Sequence, residues 1–176
     1  MPDLIITSYG DPMDPSTWSG TPANLCAALS RQGLDIVGLD YSQATRQVLD
    51  RVAGLARRAS DRLTGSEHAR DHLRTTAART RAGDWVAAQA WRLGCRDVLH
   101  TGTLALPMSA SPLGQRQFIY TDTTWNLWVS SCHDADRLDS AFVARADTLE
   151  RQAYRQAAHI FPIGEYVQAD LTTHYG

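Results

Sequence analysis

The sequence predicts an α/β fold: one Rossmann-like domain over residues 1–176, with a doubly wound, mainly parallel sheet and helices on both faces. Three observations lead to it. Short apolar runs of strand length alternate with segments whose apolar residues recur at three- and four-residue spacing. Residues 3–39 read as strand, loop, helix and strand, the opening unit of such a sheet. Strand ends run repeatedly into small, polar or flexible residues, as they do along the ligand-facing edge of open α/β sheets.

The elements follow in order. Residues 3–8 (DLIITS) form a buried strand and lead into a loop rich in Asp and Pro, YGDPMDPSTWSG. Thr21 is placed to cap the first helix, with Pro22 at the first helical position, where a missing N–H costs nothing. Leu25, Cys26 and Leu29 share a face, and Gly33 closes the helix in a left-handed conformation. Residues 34–39 make the second strand. Ser42 is placed to cap a long helix carrying Val48, Val52, Leu55, Ala59 and Leu63 on one stripe. Residues 66–82 are also helical in pattern but strongly polar, and residues 60–83 read as an exposed helical excursion. Asp84 then caps a helix that ends at Gly94. Strands follow at 96–101 and 117–121, a helix at 136–157 with Leu138, Phe142, Leu149 and Ala153 on one stripe, a strand at 159–163 and a final helix at 165–175. Pro162 assigns that last strand to an end or an edge.

The chain is 43% hydrophobic and 20% charged, enough for one full core. No apolar run reaches the roughly 18 residues that a membrane span needs, and the N-terminus lacks the basic and apolar regions of a secretory signal. Three widely spaced cysteines, Cys26, Cys95 and Cys132, suggest neither a disulfide framework nor a zinc site. The expected location is the cytoplasm, with peripheral contact at the inner membrane face as a further expectation. That contact would come from residues 46–96, which hold eleven Arg against five acids in a chain with no Lys. Such a block reads as a solvated surface or as a basic face for anionic lipid or a phosphorylated acceptor. Nucleic acid is not an expected partner, because the block lacks interleaved aromatics on which bases stack.

Several familiar sites are absent. There is no GxGxxG, no GxxxxGK[ST] and no GxSxG. His68 and His72 are four apart on a helical pattern, but the zincin Glu is missing and the segment reads as a charged surface. No metal is expected. The segments of interest are the strand ends Ser8-Tyr9-Gly10, Thr101-Gly102-Thr103, Thr121-Asp122-Thr123-Thr124 and Gly164-Glu165. At Trp18-Ser19-Gly20-Thr21 a helix start offers free N–H groups, and Gly20 allows close backbone approach to a phosphate. Either Asp122 or a following Thr caps the helix before Trp125, or Asp122 faces a ligand in the cleft, with capping as a second role; burying its carboxylate would require hydrogen bonds. His100, near its own strand end, is a core histidine or a site residue.

These residues carry a resemblance. DPSTWSGTPANL, with its W-S-G-T-P core, resembles the first loop of bacterial glycosyltransferases of family 4, which have the GT-B fold. FIYTDTTWNLW resembles the Tyr/Trp-Thr-Asp-Ala-Thr-Trp/Phe segment of that group, and ERQAYRQAAHIFPIGEYVQADLTTHYG resembles its C-terminal signature of this half, with Gly164 where the family has Ser. The resemblance implies a retaining hexosyltransferase that moves a sugar from a nucleotide-sugar donor to a glycan, lipid or small-molecule acceptor. It implies further that this chain is the N-terminal, acceptor-side domain. By the same resemblance Asp122 lies beside the transferred sugar as the catalytic position. The resemblance also places Ser19, Gly20, Thr21 and Glu165 at the substrate cleft, and Trp18, His100, Thr101 and Thr123 are expected there from their places at the helix start and the strand ends. No cofactor or metal is implied beyond the donor itself. The sequence given stops at His174-Tyr175-Gly176, where the family enters its donor-binding C-terminal domain, so the expectation is that this chain alone does not transfer sugar.

Overall fold

Five short strands pair side by side in one sheet, and every pairing is parallel. They are β1 (Leu4–Ser8), β2 (Ile36–Asp40), β3 (Asp97–Thr101), β4 (Arg116–Thr121) and β5 (His159–Pro162), in the order β2-β1-β3-β4-β5. The structure, a computed structural model of the chain, describes residues 1–45, 73–106, 114–132 and 138–176. Its helices, over the described residues, are α1 (Thr21–Arg31), α2 (Ser42–Thr45), α3 (Thr76–Leu93), α4 (Trp125–Ser131), α5 (Ser140–Gln156) and α6 (Glu165–Asp170). A wider turn, Leu171–Tyr175, continues α6.

Strand pleating assigns the two layers. Ile5 pairs with Val98 and His100 with Ile119, so these residues share a face. Val86 and Ala90 of α3 cover Ile5 and Val98, and Ala153 and Tyr154 of α5 cover Ile119. Ile6 and Leu99 point the other way, onto Cys26 of α1 with Leu25 and Leu29 beside it. The fold is therefore the α/β, Rossmann-like arrangement that the alternation of patterns predicts. Pro162 belongs to β5, the edge strand, where a missing N–H is tolerated.

Three local expectations change. Thr21 is the first residue of α1, not its cap; Gly20, at φ +82°, holds the cap position and no side chain caps the helix. Asp84 caps nothing, since Thr75 caps α3 through the Ala78 N–H and the helix runs unbroken past Asp84 to Gly94. The polar excursion is helical over 76–83, as expected, but it is not wholly exposed. That stretch belongs to α3, and Arg79, Ala82 and Gly83 are buried there. Residues 60–72 lie outside the described residues, as do His68, His72, the Val48–Leu63 stripe and six arginines of the basic block.

Arg79 is buried because its charge is met. Its Nη2 donates to Glu150 Oε2 at 2.9 Å, Thr103 Oγ1 donates to the same oxygen at 2.5 Å, and Tyr154 donates to Oε1 at 2.9 Å. Arg74 approaches Glu150 at 3.8 Å. Burial would raise the Glu150 carboxyl, but Arg79, Arg74 and the Thr103 hydroxyl together hold it below the usual range. Two basic residues of the Arg-rich block are thus turned to the interior.

Candidate functional site

The carboxyl ends of all five strands lie along one edge, since the strands are parallel, and the order of connection reverses between β1 and β3. Sheets of this kind bind ligands at that reversal. Here it lies between Ser8-Tyr9-Gly10 and Thr101-Gly102-Thr103. On the β2 side, Asp40 accepts the Gly10 and Ser42 N–H groups at 2.9 Å each, tying the two turns together.

The Trp18–Thr21 turn folds over this reversal. Trp18 (φ 48°, ψ 50°), Ser19 (φ 53°, ψ 27°) and Gly20 (φ 82°, ψ 1°) are three successive left-handed residues. For L-residues that conformation costs about 1–2 kcal/mol each, so Trp18 and Ser19 hold strain that the surrounding structure must offset. Gly20 avoids it, and an added Cβ there would sit 3.2 Å from the Pro15 carbonyl oxygen. The turn carries the Trp18 ring across Gly102, where an added Cβ would lie 3.4 Å from Trp18 Cη2. Ser19 is exposed beside it, and Thr21 is half-buried.

From Gly102 the edge continues without a gap. Gly102 N–H donates to the Tyr120 carbonyl at 2.8 Å, linking the ends of β3 and β4. Two residues on, Asp122 is exposed. The cap of α4 is Thr124, whose Oγ1 accepts the Leu127 N–H at 3.1 Å and donates to Asp170. Asp122 is therefore not the cap, and among the described residues its carboxylate has no hydrogen-bond or ionic partner. Its carbonyl accepts from the Tyr166 hydroxyl at 2.7 Å, which brings the β5 turn, with exposed Glu165 at the head of α6, against the β4 turn. Trp18, Gly102, Asp122, Tyr166 and Glu165 thus follow one another along one rim.

No family model, no curated protein and no solved structure matches this chain.

Two residues picked out in the sequence, His100 and Thr101, are drawn inward, and a third, Thr123, is half-buried. His100 is fully buried, with Nδ1 3.0 Å from Thr7 Oγ1 and Nε2 2.7 Å from Gln117 Oε1. An amide oxygen only accepts, so Nε2 carries the proton and Nδ1 accepts from Thr7. Burial presses this imidazole down to about 4, against a smaller opposing effect from Gln117, and leaves it neutral. His100 points into the helix-covered face and does not open onto the rim; that is a correction to its reading as a site residue. Thr101 is buried too, its hydroxyl donating to the Thr7 carbonyl at 2.9 Å, and Thr123 donates to the Thr124 carbonyl at 3.3 Å.

The sequence reading missed Tyr166, Asp40 and Asp170. Asp170 accepts from Thr124 and from Asn126 Nδ2, the latter at 2.6 Å, and so fixes α4 against α6. A single exposed Tyr carries no periodic signal, and the partners that matter here, Gly10 for Asp40 and Thr124 and Asn126 for Asp170, are distant in sequence. Among the described residues no group of three or more His, Cys, Asp or Glu is arranged to hold a metal ion, and no helix is long and apolar enough to cross a membrane.

Proposed function

We propose that this chain is the acceptor-side domain of a retaining glycosyltransferase, one wall of a cleft whose facing wall binds the nucleotide-sugar donor. One observation carries the proposal. The segments whose sequences resemble that family lie far apart in the chain, yet Trp18, Asp122 and Glu165 from them fall along a single rim, joined through Gly102 and Tyr166. The parallel sheet brings Asp122 and Glu165 to this edge; the reach of Trp18 over Gly102 is the part that strand order alone does not require.

The chemistry of the rim suits the role. Tyr9, Trp18 and Tyr166 expose aromatic surface there, flat and apolar enough to receive the C–H face of a sugar ring. The start of α1 has no side-chain cap; Thr21 N–H donates to the Trp18 carbonyl and Pro22 has none, so the helix offers a diphosphate oxygen the positive end of its dipole beyond them. The free Asp122 carboxylate is placed to accept a sugar hydroxyl or to stabilise positive charge developing at the anomeric carbon. In the proposed reaction the donor's bond from anomeric carbon to diphosphate oxygen breaks, the diphosphate leaves with the electron pair, and the acceptor oxygen bonds to that carbon as its proton passes to the departing diphosphate oxygen.

The test is a transfer assay of the complete reading-frame product against a panel of nucleotide sugars and acceptors, alongside nucleotide titration of residues 1–176 alone. Sugar transfer by the former, with weak nucleotide binding by the latter, is the expected pair of results. Tight binding of a nucleotide by residues 1–176 and no transfer from any donor would overturn the proposal in favour of a nucleotide-binding domain.

A further inference from the structure

Asp122 stands on the rim with an exposed carboxylate that has no hydrogen-bond or ionic partner among the described residues. Where that charge sits is therefore decided by the backbone beneath it. The turn 121–124 joins β4 to α4, and three of its bonds reach one neighbouring segment, the end of β5 with α6. Ile163 N–H donates to the Thr121 carbonyl at 3.0 Å, the Tyr166 hydroxyl donates to the Asp122 carbonyl at 2.7 Å, and the Thr124 hydroxyl donates to Asp170. Tyr166 and Asp170 are four apart and share a face of α6.

The three bonds differ in what they hold. The Ile163 bond continues the β4–β5 ladder, and Asp170, which is buried, also accepts from Asn126 Nδ2 at 2.6 Å and fixes the start of α4. Tyr166 is the one of the three that bonds Asp122 itself. It is 58% exposed, so the core gains little from its hydroxyl, and a phenylalanine ring would fill the same place. A carbonyl only accepts, so the phenol proton points at Asp122 and sets the ring beside it.

We propose that Tyr166 is a positioning residue of the rim: through the Asp122 carbonyl, its hydroxyl fixes where the Asp122 carboxylate stands. As a statement about turnover this rests on the glycosyltransferase reading; as a statement about the turn it does not. A group that acts on a transition state must be held near its working geometry, and a misplacement of about 1 Å costs about 100-fold.

Two measurements test the proposal, and only the second needs substrate. In the first, nitrogen relaxation on the chain compares wild type with Tyr166→Phe, which keeps the ring and removes its oxygen. Backbone order parameters at Asp122 and Thr123 should fall from about 0.85, the value of rigid backbone, towards about 0.6, while those of β4 and α4 stay unchanged. In the second, the complete reading-frame product is assayed for transfer. Tyr166→Phe should lower kcat about tenfold or more with the acceptor KM little changed. In the Asp122→Ala background it should have no further effect, because the residue it acts through is gone. Unchanged order parameters in Tyr166→Phe, or a loss of turnover that persists undiminished beside Asp122→Ala, would overturn the proposal. If wild type transfers no sugar while the order parameters fall as expected, the glycosyltransferase reading fails and the tether on Asp122 stands.

Discussion

Arg79 and Glu150 are 71 residues apart in sequence, yet Nη2 of one meets Oε2 of the other at 2.9 Å with both side chains shut away from solvent. Removing one member of such a pair leaves a buried charge uncompensated, at a cost of about 3–5 kcal/mol. Glu150→Gln is therefore expected to shift the urea unfolding midpoint down sharply. The double variant Arg79→Met/Glu150→Leu should recover much of the loss, and a double-mutant cycle on the same transitions measures the coupling.

Stability should fall with acid in a window that His100 sets. Its folded value of about 4 lies below the ordinary 6.5, so the folded state binds the proton less readily than the unfolded chain. The contribution is complete above about pH 6.5 and disappears as the pH falls towards 4, amounting to about 3 kcal/mol. Glu150, also held low, adds a second loss below its unfolded value. Unfolding free energies measured from pH 7.5 to 4 should decline in wild type, and the slope between 6.5 and 4.5 should flatten in His100→Gln.

The left-handed turn makes opposite predictions at adjacent positions. Gly20→Ala places a Cβ at φ +82° and 3.2 Å from a carbonyl oxygen, and should destabilise by about 1–2 kcal/mol. Ser19→Gly relieves φ +53° and should stabilise by up to about 1 kcal/mol. Parallel chemical denaturation of the two variants tests the signs. If the turn is held for function, Ser19→Gly should also lower transfer activity in the complete enzyme.

Asp122→Ala should leave the thermal midpoint unchanged, since the carboxylate makes no bond within the described residues. If the proposed function holds, it should reduce transfer turnover by about 100-fold or more, the scale of one lost electrostatic contact to the transition state. Unaltered turnover would remove Asp122 from the site.

The layers and strands were legible in the sequence because they obey short periods. Apolar runs mark β1 to β5 to within two residues, and Gly33 and Gly94 close their helices where their freedom at positive φ is needed. What escaped depends on partners far along the chain. Arg79 sits in a stretch with every mark of a solvated surface, and only Glu150 makes its burial affordable. His100 resembles a site residue at a strand end until Thr7 and Gln117 occupy both nitrogens. The rim was partly visible: Trp18, Ser19, Asp122 and Glu165 are exposed along it, while Tyr166, which ties Asp122 to the β5 turn, left no trace in any pattern.

The place of β1 bears on how the molecule comes to exist. It precedes both β2 and β3 in the chain but lies between them, and its Thr7 meets His100, 93 residues later. At ordinary synthesis rates of about 5–20 residues per second, one flank of this apolar strand waits for seconds on the ribosome before its neighbour emerges. Such long-range pairing also slows refolding in the tube, so the isolated chain should regain its structure over milliseconds to seconds, and nascent chains halted before β3 should engage chaperones through Leu4–Ser8.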